Sequence, residues 1–158
     1  MNAAAGTPFA FSQLFTDLTG RRVTVASGDD LFLNHGSKAY GVYEVVGTPD
    51  TILLTVDLPL LGSLGGVLVG LPDTVVRQQL TERPIDDALT DAMREVLNIV
   101  SSVLTRHKRA VLKQMVTDAF LGDSLTSEFT LEPHTLRRFH VTMTGYPSGE
   151  ISMLTRLR

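Results

Sequence analysis

The chain has 158 residues, 43% of them apolar and 20% charged, which suits one globular domain with a real core and excludes a disordered segment. It contains no cysteine, so disulfides, thiolate metal sites and cysteine nucleophiles are excluded. A formal net charge of −3 leaves no electrostatic footprint for nucleic acid or an anionic membrane. One domain over residues 1–158 is expected.

The N-terminal stretch MNAAAGTPFAFSQLF has no basic residue ahead of its apolar part, so no secretory leader is expected and the chain reads as cytoplasmic. Residues 9–18 place Phe11, Leu14, Phe15 and Leu18 at helical spacing, with Gly20 as the stop. Residues 22–26 form a short β-branched run that enters a Ser-Gly-Asp-Asp turn. Residues 31–38 read as a loop. Residues 40–46 and 51–57, separated by Gly-Thr-Pro-Asp, predict an antiparallel hairpin.

The run over residues 52–71 has the length of a membrane span. However, it carries Asp57, Pro59, Gly62, Gly65, Gly66 and Gly70, and a mid-span Asp costs about 2.5–3.5 kcal/mol on insertion. It reads instead as a buried strand followed by a buried helix, and no membrane insertion is expected. Asp57 is placed as N-cap of that helix, with Pro59 in its first turn. Each interior glycine costs about 1 kcal/mol of helix propensity relative to Ala, so these mark a surface where another backbone comes close. Pro72 ends the helix, and residues 74–80 add one or two helical turns.

Residues 84–106 carry the strongest helical pattern. Ile85, Leu89, Ala92, Met93, Val96, Ile99, Val100 and Val103 keep a 3.6-residue period. Residues 110–117 have a strand-like tail, although Val-Leu-Lys-Gln-Met could also be helical, and residues 124–136 show no clear period. Residues 139–144 and 150–156 alternate around Gly-Tyr-Pro-Ser-Gly, which predicts a second hairpin. The expected fold class is α+β, with helices covering one face of a largely antiparallel sheet.

Much chemistry is missing. His35, His107, His134 and His140 are scattered without metal-ligand spacing, and no G-x-S-x-G elbow occurs. The glycines of residues 62–70 match no phosphate-cradling motif, so no cofactor or metal is expected on this chain. Arg106, His107, Lys108 and Arg109 form one basic cluster, read as a helix-end dipole complement or else as an anion or partner patch.

One constellation stands out. At 100° per residue, Asp91, Glu95, Asn98 and Ser102 fall within about 60° of one another, opposite Val96, Val100 and Val103. They form an outward ridge on a helix whose other side enters the core. A solvated helix face accounts for this pattern equally well.

The stretch Asp91-Ala-Met-Arg-Glu95-Val-Leu-Asn98 resembles the D/S-x-x-x-E-x-x-N signature of the CheC/CheX/FliY family of chemotaxis phosphatases. A strand, a helix and a Leu-Pro break ahead of the motif helix fit the family layout, as does the closing hairpin around Tyr146-Pro147. A single E-x-x-N is closest to the single-site CheX branch. The resemblance implies a CheX-like fold and a phosphatase acting on the aspartyl phosphate of a CheY-like response regulator, whose own Mg²⁺ offsets phosphate charge. Asn98 would orient the attacking water and Glu95 would pair with the regulator's active-site Lys, both as catalytic residues. Asp91, Arg94 and Ser102 would contact the partner at the rim. A homodimer is also expected, since edge strands invite pairing and CheX-type proteins tend to pair. Ser101-Ser102-Val103 stand where the family carries Gly-Asn-Ala-type residues, and residues 118–121 lack the family's Pro. These departures support the alternative: a non-catalytic CheX-fold binding or scaffold module in two-component signalling.

Overall fold

Thr7 and Pro8 open the first helix, the Thr7 side chain accepting from the Ala10 N–H at 3.3 Å, and the Gly20 N–H closes it on the Thr16 carbonyl. From there the chain builds six strands and four more helices, in a computed structural model that describes residues 6–28, 36–82 and 84–157. The first helix is α1 (Pro8–Thr19), followed by strands β1 (Val23–Ser27), β2 (Lys38–Val45) and β3 (Thr51–Asp57). Helices α2 (Leu58–Val69), α3 (Asp73–Glu82) and α4 (Asp87–Val100) come next, then strand β4 (Ala110–Val116). Helix α5 (Ala119–Leu131) and strands β5 (His134–Met143) and β6 (Gly149–Arg156) complete the order. Most of the expected loop at residues 31–38, with His35, lies outside the described residues.

The sheet runs β1-β5-β6-β3-β2-β4, and every neighbouring pair is antiparallel. Both expected hairpins are present, although β5 begins at His134, earlier than its alternation suggests. Period-2 burial divides the sheet into two faces. Ala39, Tyr43, Val45, Ile52, Leu54, Val56, Phe139, Val141 and Ile151 point into the main core with α1, α2 and α4. The α+β class with a helix-covered sheet face is thus the observed one. No described helix is long and apolar enough to cross a membrane.

Several details differ from expectation. Asp57 precedes α2 but makes no cap, because its carboxylate is ion-paired with Lys38 and accepts the Glu150 N–H at 2.8 Å. The α4 helix is shorter than residues 84–106: Asp86 caps it, accepting from the Leu89 N–H, and a 3₁₀ turn at Ser101–Val103 ends it. Val103 is therefore only half-buried. The basic cluster sits in the exposed turn leading to β4, beyond that 3₁₀ turn, so it does not complement α4's dipole. The largest difference is α5, capped by Asp118 and laid on the second sheet face, where residues 124–136 gave no period.

Candidate functional site

The ridge rests on α4, whose inner side is fixed by Leu89, Ala92, Met93, Val96, Leu97 and Val100, all buried. Against that side lies α2. A Cβ on Gly65 would come within 3.2 Å of the Met93 backbone nitrogen, so the two helix backbones approach as closely as the glycine allows. The glycine-rich stretch is a packing surface, as its composition suggested. At the other end of α4, the Gln79 and Asp86 side chains link α3 to the N-cap, with Gln79 Nε2 donating to Asp86 Oδ2 at 2.8 Å.

On the outer side, Asp91, Arg94, Glu95, Asn98 and Ser102 are all exposed. Asp91 and Arg94 partner each other, Nη1 to Oδ1 at 3.4 Å, with side chains 74% and 49% exposed. A pair so open to water contributes little to stability. Ser102 donates to the Ile99 carbonyl at 2.8 Å, so its hydroxyl caps the helix end. Among the described residues, the side chains of Glu95 and Asn98 make no hydrogen bond or ion pair. They project one turn apart from a fixed backbone.

The last turn of α4 is held by hydroxyls. The Ser101 N–H is directed at the carbonyls of this turn, and hydroxyls add further donors to them. The buried Tyr43 hydroxyl donates to the Leu97 carbonyl at 2.7 Å, and Ser101 Oγ donates to the Asn98 carbonyl at 2.5 Å. Burial pushes the Tyr43 phenol well above its ordinary pKa, so it remains a donor. Tyr43 thereby ties the backbone beneath Asn98 to the middle of the sheet. The sequence did carry a signal for this residue: a tyrosine on the core face of a strand must find a partner for its hydroxyl.

Among the described residues, no group of three or more His, Asp or Glu could hold a metal ion. The arrangement can therefore offer a partner one amide and one carboxylate on a rigid, protruding helix.

No protein-family model matches the sequence, and no curated protein matches it. Solved structures do. The FliM middle domain from Vibrio alginolyticus superposes with a TM-score of 0.64 at 10% identity, over 93% of this chain and 86% of that one. A chemotactic CheC-like protein from Shewanella oneidensis gives a TM-score of 0.58 at 14% identity, over 99% and 100% of the two chains. The CheX–CheY–BeF3–Mg2+ complex from Borrelia burgdorferi gives a TM-score of 0.51 at 10% identity, over 93% of each chain. This chain has the CheC/CheX/FliY fold. Structures sharing it include FliY, CheX in its complex with CheY and the FliM middle domain alike, so the fold alone does not choose a function.

Proposed function

We propose that the protein is a CheX-type phosphatase that presents α4 to a phosphorylated CheY-like response regulator. One observation carries this reading: Glu95 and Asn98 stand exposed, unbonded and one turn apart on a helix anchored by Gly65 and Tyr43. In this reading Asn98 enters the regulator's site and orients a water in line with the aspartyl phosphate. The water oxygen bonds phosphorus as the bond to the aspartyl oxygen breaks, leaving a free carboxylate and inorganic phosphate that takes up the water's proton. An amide suits the task because it hydrogen-bonds water without bringing negative charge to a phosphoryl group. Glu95 pairs with the regulator's lysine, and Asp91, Arg94 and Ser102 meet the partner at the rim. The metal in the reaction is the regulator's Mg²⁺, and this chain needs none.

A second reading, a binding module without catalysis, is favoured by the Ser101–Val103 3₁₀ turn that ends α4 just beyond Asn98. Phosphate release from a phosphorylated regulator separates the two. Accelerated release by the wild type and none by Asn98→Ala supports phosphatase action. Regulator binding without acceleration supports the module.

The proposal includes a cytoplasmic homodimer paired at a sheet edge, since among the described residues β1 and β4 each have a strand neighbour on one side only. Light scattering tests it: a monomer at high concentration removes the dimer from the proposal.

A further inference from the structure

Arg106, His107, Lys108 and Arg109 follow the ridge helix directly, and the ridge chemistry does not use them. All four are exposed, and among the described residues none of their side chains makes a hydrogen bond or ion pair. Their backbone is held even so. The Thr105 hydroxyl donates to the Lys108 carbonyl, the Val46 N–H donates to the Arg109 carbonyl at 2.8 Å, and Leu104 is buried just ahead of them. Arg106, Lys108 and Arg109 thus hold their positive charges on a tied turn, in a chain whose formal net charge is −3. The neighbouring cations are already taken: Arg94 pairs with Asp91, and Lys113 with Glu44.

The turn lies within reach of whatever covers Asn98. With about 1.5 Å of rise per residue to Val100, about 2.0 Å to Val103 and at most about 3.5 Å beyond, Asn98 and Arg106 are at most about 20 Å apart along the backbone. A standard interface covers about 800 Å² of each partner, a patch about 30 Å across. The α4 reading also fixes the charge that such a partner brings. Mg²⁺ beside a phosphoryl group is held by one or two carboxylates as well, so the negative charges outnumber those of the metal. Glu95 takes the regulator's lysine out of this balance, and Asp91 cancels Arg94. The ridge therefore offers an anionic site no net attraction, and that attraction has to come from beside the ridge.

We infer that the turn at residues 106–109 is an electrostatic docking site for an acidic patch of the response regulator, bordering the aspartyl phosphate that meets Asn98. The inference rests on the α4 reading and adds to it the surface that brings the partner in. Exposed ion pairs add little to affinity one by one, but a local field of one sign raises the encounter rate and sets its salt dependence. A turn tied at Thr105 and Val46 presents its charges without an ordering cost on binding. Nucleic acid and anionic membrane also attract a basic turn. The chain's net charge of −3 opposes both, and continuity with the ridge favours the protein partner.

The probe is a CheY-like regulator from the same genome, held in its phosphorylated form by BeF3⁻ and Mg²⁺, with stopped-flow fluorescence reading association to the full chain. The triple variant Arg106→Gln/Lys108→Gln/Arg109→Gln is expected to slow association about tenfold at low salt, with dissociation changed less than about twofold. The two proteins should converge near 1 M salt, where the screening length falls to about 3 Å. Arg106→Gln alone, expected to slow association about twofold, carries the test should the triple variant not fold. Glu95→Ala reads the ridge separately, since it should speed dissociation. No binding by the wild type at any salt removes the α4 reading and the inference with it. Binding that Glu95→Ala weakens, with association untouched by the triple variant, overturns the inference alone. So does a triple variant that loses binding to phosphatidylserine vesicles while its association with the regulator stays at the wild-type rate.

Discussion

One face of the sheet gives Ala39, Tyr43, Ile52, Leu54, Phe139 and Val141 to three helices; the other gives Tyr40, Leu53, Val116 and Leu154 to one. The helices differ accordingly. Six of the fourteen residues of α4 are buried, whereas α5 buries Gly122 and Phe129 out of thirteen. What holds α5 is a few specific contacts. Gly122 lies against the Tyr40 ring, and Arg156 stacks 4.5 Å over the Phe129 ring while bonding Thr51 at 3.1 Å. A helix held by a broad apolar stripe can carry a rigid exposed ridge. A helix held at points leaves a groove beneath it.

Breaking each attachment should expose the difference. Leu97→Ala empties a site at the centre of the main core and should cost about 2–5 kcal/mol in denaturant unfolding. Protection from hydrogen exchange should fall across the whole chain, because α4 shares its core with the sheet and α2. Gly122→Val places a Cβ within about 2.0 Å of the Tyr40 ring, and should cost about 1–3 kcal/mol. Its signature is local: α5 amides lose protection while those of α4 keep theirs. Equal loss in both helices would mean that the two faces form one cooperative unit.

The same contrast decided what could be read from the residues. Leu89, Met93, Val96 and Val100 repeat because a wide face must be apolar, so α4 was visible in outline. Its ends were less so, because Asp86 and Ser101 fix them through single hydrogen bonds that leave no periodic trace. For α5 the burial requirement is met by a glycine and one aromatic, so its apolar residues are free to fall anywhere, including the exposed Phe120 and Leu131. Asp118 was a usable signal, as an Asp ahead of a run of helix-tolerant residues. The ridge was legible as geometry because Asp91, Glu95 and Asn98 follow from the same period as the core. For Tyr43 only the need of a partner for its hydroxyl was legible, since which carbonyl it meets depends on which helix lies across the sheet.

Tyr43→Phe sharpens the comparison at the point where the main core supports the ridge. The ring stays, and only the bond from its hydroxyl to the Leu97 carbonyl is lost. That carbonyl also accepts the Ser101 N–H, so the cost should be about 1 kcal/mol and not the full penalty of an orphaned group. The effect on the last turn should be larger than on the fold. Amides of residues 99–102 should exchange faster, and phosphatase acceleration, if present, should fall while regulator binding through Glu95 persists. An unchanged exchange rate would show that the serine hydroxyls suffice to hold Asn98.

The smallest expected effect belongs to the second face, at Glu150. Burial raises its carboxyl pKa, and Asp57 adds to the rise, against Lys38, His140 and Arg138, which lower it. A pKa raised on folding means that the folded state holds the proton more tightly than the unfolded chain. The resulting stability is fully present below the ordinary glutamate range and is lost as pH rises through the raised folded value. At neutral pH the ionised carboxylate therefore weakens the fold relative to a neutral side chain of the same shape. Glu150→Gln should raise the melting temperature slightly at pH 7, and the gain should vanish as the pH falls below the usual glutamate range. A variant less stable than wild type at pH 7 would mean that the surrounding cations outweigh burial and Asp57. The polar face would then be held by its ion pairs, as the other face is held by its apolar core.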